Sequence, residues 1–166
     1  NLYALTLKKS DTAPEIVLKL SDMMRYMLYE CNEKQVLLSK ELRYIENYID
    51  LERIRQGKGV DIVFNLNGEI RDQKIAPMLL IPFIENSFKH GVNRQLQNAF
   101  VHLNIEIEDD GLVMKLINSK PDTIPAEGAR RDGGIGLVNV KQQLQLLYPK
   151  KHKLTIEDTP VAYSVQ

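Results

Sequence analysis

The string Glu85-Asn86-Ser87-Phe88-Lys89-His90-Gly91 brings a carboxylate, a carboxamide, an ammonium and an imidazole into two helical turns. Residues three and four apart share a helix face, so Asn86, Lys89 and His90 project together. An amide oxygen is a hard ligand suited to Mg²⁺, an ammonium is a point charge for phosphate, and an imidazole can bond ribose or phosphate. Lys and His also gather at helix C-termini because the dipole favours cations there, so the trio alone carries both readings. Glu85 lies about 100° around the helix from Asn86 and is the nearby carboxylate.

A second cluster, Asp132-Gly133-Gly134-Ile135-Gly136-Leu137-Val138-Asn139, follows a long loop and opens an amphipathic segment. Glycines let backbone approach a ligand closely, and the free N–H groups of a helix start favour an anion. An ordinary loop closing onto a helix has the same composition. Neither a P-loop string nor a Rossmann fingerprint occurs. Asn118 stands where a strand enters that loop; its amide oxygen can accept from an adenine amino group, and an Asn there also forms turns. His102 and His152 read as solvated surface. The histidines lack metal-ligand spacing, and no Ser or Cys nucleophile motif appears.

Several elements must position these groups. Asp11 and Thr12 are candidate caps, Pro14 suits a first helical position, and Ile16, Leu20, Met23, Met24 and Met27 recur at helical steps. The run from Glu30 to Lys34 interrupts that stripe. Ser39 is a candidate cap for a second helix carrying Leu42, Ile45, Ile49 and Leu51, which Gly57 and Gly59 end. Residues 60–67 alternate as a half-exposed strand. Pro77 to His90 reads as a strongly apolar helix with Gly91 as its C′ residue. Val101 to Ile107 and Leu112 to Ile117 form a hairpin about Asp109-Asp110-Gly111. Residues 119–134 read as a long mobile loop, Leu137 to Leu147 as a helix stopped by Pro149, and Leu154 to Val165 as a last hairpin. This order predicts an α+β fold, a two-layer sandwich of helices on one face of a mixed sheet.

The composition narrows the classes. The 166 residues hold 22 Lys plus Arg against 22 Asp plus Glu, which argues against a basic nucleic-acid footprint. The single Cys31 excludes an internal disulfide and a multi-cysteine zinc site and fits a reducing compartment. The longest apolar run, Met78 to Ile84, contains Pro82 and is far short of the about 20 residues of a membrane helix. The sequence opens with Asn1 and no signal pattern, as expected of an excerpt from a longer protein. The apolar stripes before Gly57 predict self-association.

Residues 77–91, P-M-L-L-I-P-F-I-E-N-S-F-K-H-G, resemble the N-box of sensor histidine kinases of the LytS-like group. Residues 133–147, G-G-I-G-L-V-N-V-K-Q-Q-L-Q-L-L, resemble its glycine box, and Leu38 to Arg55 resembles the helix before its nucleotide domain. The resemblance implies the Bergerat (GHKL) fold shared with gyrase and MutL, with ATP and Mg²⁺ as cofactors. Asn86 would then hold Mg²⁺, Lys89 and His90 would meet phosphate and ribose, Gly134 and Gly136 would form the base of a mobile lid, residues 119–133, and Leu137 would join Asn118 and these glycines among the nucleotide-binding positions. Glu85, Asn86 and Lys89 take the catalytic positions. Residues 1–56 would follow the phosphoacceptor region and pair subunits, and residues 57–166 would be the catalytic domain.

Three departures from the pattern refine this expectation. Asn118-Ser119-Lys120 stands where the family has its adenine-reading Asp; a carboxamide can also turn its N–H₂ toward guanine, so ATP against GTP stays open. Pro82, four before Asn86, replaces the water-activating carboxylate of hydrolytic relatives, which implies weak hydrolysis. The N-P-H-F-x-F-N-like phosphoacceptor box is missing.

The expected function is therefore transfer of the ATP γ-phosphoryl group to a histidine upstream of Asn1 and thence to a response regulator. Arg130 and Arg131 are candidate phosphate clamps or a solvated pair. The expected protein is a homodimer, the cytoplasmic part of an inner-membrane-anchored bacterial sensor, with no nucleic-acid partner. The alternatives are a nucleotide-gated interaction module without kinase activity and a GHKL ATPase clamp.

Overall fold

The computed structural model describes residues 6–7, 11–92, 98–120 and 135–166, apart from the side chains of residues 90 and 135. Gly134 and the stretch expected to form a lid, from residue 121 on, lie outside them, as do Arg130 and Arg131. The chain divides into two compact units: residues up to 57 together with 70–78, and residues 58–69 together with 79–166.

In the helical unit, α1 (Thr12–Arg25) runs on as a π-helical turn over Tyr26–Glu30. A short strand β1 (Val36–Leu37) leads into α2 (Leu38–Gln56) and pairs antiparallel with β3 (Lys74–Ile75). Helix α1 packs against α2. Ala13, Ile16, Met23 and Tyr26 are buried along the first helix, and Leu42, Ile45 and Ile49 along the second. Lys19–Asp50 at 2.6 Å and Arg43–Asp22 at 2.7 Å bridge the pair.

Two expected caps differ from the observed ends. Asp11 holds the N-cap position of α1 in helical backbone geometry and makes no side-chain cap bond, so Pro14 falls third in the helix, where an N–H is still not required. Ser39 lies inside α2; the chain turns helical at Leu38, whose N–H reaches Gln73 O at 2.8 Å through the β1–β3 pairing. A backbone acceptor has taken the place of a side-chain cap. Gly57 ends α2 at φ +66°, where a side chain would be strained.

In the sheet unit, β2 (Val60–Asn67), β4 (Ala99–Glu108), β5 (Gly111–Ser119), β6 (Ile156–Asp158) and β7 (Ala162–Val165) form a mixed sheet ordered β2-β4-β5-β7-β6. Only β2 and β4 run parallel, because α3 (Ile81–Gly91) connects them; the other pairs are antiparallel. The register sets Val101 opposite Asn118, Leu103 opposite Leu116 and Ile105 opposite Met114, so the alternation in both strands buries one shared face. Helix α3 packs on β4, β5 and β7, and also touches α4 (Ile135–Leu147). Ile81, Ile84 and Phe88 are buried, on the side of α3 opposite Asn86 and Lys89. The α+β expectation agrees with this architecture.

The helix expected from Pro77 begins only at Ile81, and Met78 adopts φ +57°. A helix started at Pro77 would put Pro82 in its interior, without an N–H and with its ring against the carbonyl of residue 78; started at Ile81, Pro82 falls at the second position. Among the described residues no helix is long and apolar enough to cross a membrane.

Candidate nucleotide-binding site

Helical spacing puts Pro82, Asn86 and Lys89 along one side of α3. Asn86 is half-buried, while Glu85 and Lys89 are exposed. Among the described residues no hydrogen bond or ion pair engages the Asn86 amide or the Lys89 ammonium. Both are thus uncommitted polar groups beside each other. Partial desolvation of the Glu85 carboxyl pushes its pKa above the usual carboxylate value. The neighbouring Ser87 is fully buried and donates to Phe83 O one turn back, so its hydroxyl belongs to the helix.

The glycine-lined start of α4 comes to the beginning of α3: a Cβ on Gly136 would lie 3.9 Å from Pro82 Cβ. Gly136 and Leu137 occupy the first turn of α4, where backbone N–H groups have no partner within the helix. The Leu137 side chain is buried, which leaves the backbone as what this residue can offer.

The far end of α3 holds Asn118. This residue is 2% exposed, on the strand face that packs under the helix. Its Nδ2 donates to Ser119 O at 2.8 Å. Its Oδ1 is buried and, among the described residues, is without a hydrogen-bond donor. Leaving such a group unmet costs about 1–3 kcal/mol, so an orphaned acceptor fits a place where a ligand brings the donor. The exocyclic amine of a purine is a donor of that kind.

Sequence reasoning did not anticipate what surrounds that amide. Gly91 is the last residue of α3 and not a left-handed C′ residue; Val92 follows it in extended geometry. The reason for glycine is steric: a Cβ there would stand 2.3 Å from Asn118 Nδ2 and 2.7 Å from its Cβ and Cγ. Ser119, read only as the start of a loop, is a buried strand residue. Its Oγ donates to Gly91 O at 2.8 Å and accepts from Phe100 N at 3.0 Å, joining the helix end to β4. Nothing in the spacing signals these contacts, because residues 91, 100 and 119 meet only through the sheet.

By the rise of an α-helix, about 14 Å separates the Gly136 contact at Pro82 from the Asn118 contact at Gly91, with Asn86 and Lys89 between. Two hollows, of about 220 and 560 Å³, lie elsewhere. The first is lined by Lys115, Ile117 and Glu157 and the second by Asp61, Phe100 and His102, without α3.

Residues 1–60 match the histidine kinase family. The chain is similar to sensor protein LytS of Oceanobacillus iheyensis, 25% identical over 176 residues, covering 99% of this chain and 30% of that protein. Sensor protein kinase HptS of Staphylococcus aureus is 34% identical over 119 residues, 68% of this chain and 23% of that protein. Among solved structures, the histidine kinase domain from the Erythrobacter litoralis EL346 blue-light activated histidine kinase shares the fold with a TM-score of 0.52 at 15% identity, over 97% of this chain and 81% of that one. The chain is thus similar to sensor histidine kinases over most of its length, and it shares the fold of a histidine kinase domain of known structure. It spans less than a third of the length of the curated relatives it matches.

Proposed function

We propose that the chain is the ATP-binding catalytic part of a two-component sensor histidine kinase. It would transfer the γ-phosphoryl group of ATP to a histidine upstream of residue 1, from which a response regulator takes it. Residues 57–166 carry the catalytic domain in this reading, and residues 1–56 the helical segment that follows the phosphoacceptor region. Asn86 holds Mg²⁺, Lys89 and the first-turn N–H groups of Gly136 and Leu137 meet the phosphates, and Asn118 receives the base. Mg²⁺ supplies charge neutralisation, and the protein groups supply position, which is most of what phosphoryl transfer asks of a site. Glu85 takes a positioning role.

The observation that carries the proposal is the orphaned Asn118 Oδ1 at the end of the helix that presents Asn86 and Lys89. Pro82 speaks against the ATPase-clamp alternative, since it offers no proton acceptor four residues before Asn86. Val17, Leu20, Met24 and Leu28, exposed along α1 and its π turn, support pairing of two copies, which light scattering measures. Similarity to sensor proteins supports a cytoplasmic place in a membrane-anchored whole.

Titration calorimetry with Mg-ATP, followed by phosphorylation of an added upstream histidine segment, tests the proposal. Binding and phosphohistidine formation are expected. Binding without phosphohistidine would replace the kinase reading with the nucleotide-gated module, and absence of any triphosphate binding would remove the site.

A further inference from the structure

We infer that the C-terminal end of α4 and the turn after it, residues 146–153, form a surface that seats on an anionic lipid bilayer. The whole chain balances its charges, but this stretch does not: from Gly133 to Ile156 it carries Lys141, Lys150, Lys151 and Lys153 and no Asp or Glu. Lys150, Lys151, His152 and Lys153 are all exposed, and among the described residues no ion pair engages the three ammonium groups. The turn closes back on the helix end. Lys151 N–H donates to Tyr148 O at 3.0 Å, and His152 Nδ1 lies 2.8 Å from the same oxygen. Lys150 sits at φ +60°, a conformation that glycine or asparagine adopts more readily, so a cation is held there against local preference.

Beside these cations the helix runs out of cover. Leu137 and Val140 are buried and Leu144 is half-buried, but Leu147, next on that stripe, is 52% exposed and its neighbour Leu146 is 78% exposed. Two bare leucines next to a cationic turn make an amphipathic edge. The apolar side chains enter the headgroup boundary, while the lysine stems lie along it and keep their charges at the phosphates. The helix dipole accounts for neither feature: it favours cations within the last turn, and that turn holds none. The residue types also favour lipid over a protein partner. Protein interfaces concentrate Arg, Tyr and Trp and are depleted in Lys, whereas a run of lysines suits a fluid layer of phosphates that asks for charge without fixed geometry. The patch stands about 15 Å along α4 from Gly136, so it is a surface apart from the candidate nucleotide site.

Co-sedimentation of the whole chain with vesicles of phosphatidylcholine alone, and of phosphatidylcholine with phosphatidylglycerol in equal parts, tests the inference. Binding is expected to the anionic vesicles only, and to weaken as salt is raised. The triple change Lys150→Gln, Lys151→Gln and Lys153→Gln should lower it about a hundredfold, since each lysine beside an anionic leaflet strengthens binding about fivefold. Arginine at the same three positions, which keeps the charge, should keep the binding. Leu146→Ser with Leu147→Ser should lower it about tenfold at unchanged charge. All five side chains are exposed, so the melting midpoint should not move. No binding to the anionic vesicles, or full binding kept by the glutamine or the serine variant, overturns the inference. So does capture of the chain by soluble polyglutamate with the vesicles left unbound, which would assign the patch to an acidic protein.

Discussion

Glu41 in the helical unit and Asn118 in the sheet unit are both almost wholly inaccessible, at 0% and 2% exposure. The Glu41 carboxylate accepts from the Tyr26 hydroxyl and, at 3.0 Å, from Met78 N–H, tying the π turn and the 70–78 segment to the first turn of α2. Burial, and then that hydrogen bond, push the Tyr26 hydroxyl well above its ordinary pKa. Asn118 instead spends its donor locally and leaves its acceptor bare. A buried group whose bonds are all made within the chain reports on folding. One whose acceptor is unmet among the described residues can be separated from it by ligand-binding measurements.

Variants that separate these two roles break or sharpen the contrast. Glu41→Ala is expected to have the largest effect, about 3 kcal/mol of lost stability in denaturant unfolding, because it strands the buried Tyr26 hydroxyl and the part-buried Met78 N–H. Mg-ATP affinity per folded molecule should not follow it. Asn118→Ala should show the reverse: stability within about 1 kcal/mol of the original, and Mg-ATP affinity reduced about tenfold in calorimetry. A loss of stability as large as that of Glu41→Ala would reclassify Asn118 as a structural residue.

Asn86→Ala is expected to weaken Mg-ATP several-fold with little change in thermal midpoint, since no hydrogen bond among the described residues engages its amide. Unchanged affinity would remove Asn86 from the site. The smallest effect belongs to Glu85→Gln. Burial raises the folded pKa of Glu85 above its unfolded value, so its carboxyl favours the fold when protonated and that contribution is lost as pH rises through the folded pKa. Glu85→Gln should therefore melt slightly higher than the original at neutral pH, with the difference closing as pH falls through the acid range. A difference that does not vary with pH would assign the change to packing.

Much of the candidate site was legible because helical and strand periods are local. Asn86 and Lys89 follow from three- and four-residue spacing in a strongly apolar segment, and the β4–β5 hairpin from alternation about Asp109-Asp110-Gly111. The ends of elements were not, because competing partners set them. Leu38 N–H found Gln73 O where Ser39 was expected to cap, and Pro82 moved the start of α3 to Ile81. The 70–78 segment joins the helical unit although it lies between β2 and α3, a grouping fixed by a β1–β3 pairing of two residues a strand.

Residue order alone determined that Asn86 and Lys89 share one side of a helix, and that this helix would lie beside a mixed sheet. Only the tertiary structure decided what Gly91, Ser119 and Asn118 do together. The identity of an amide says that it can donate and accept; which of the two remains available depends on the partners that folding places around it. Ser119 O took the donor, Gly91 gave the amide room, and the acceptor was left over.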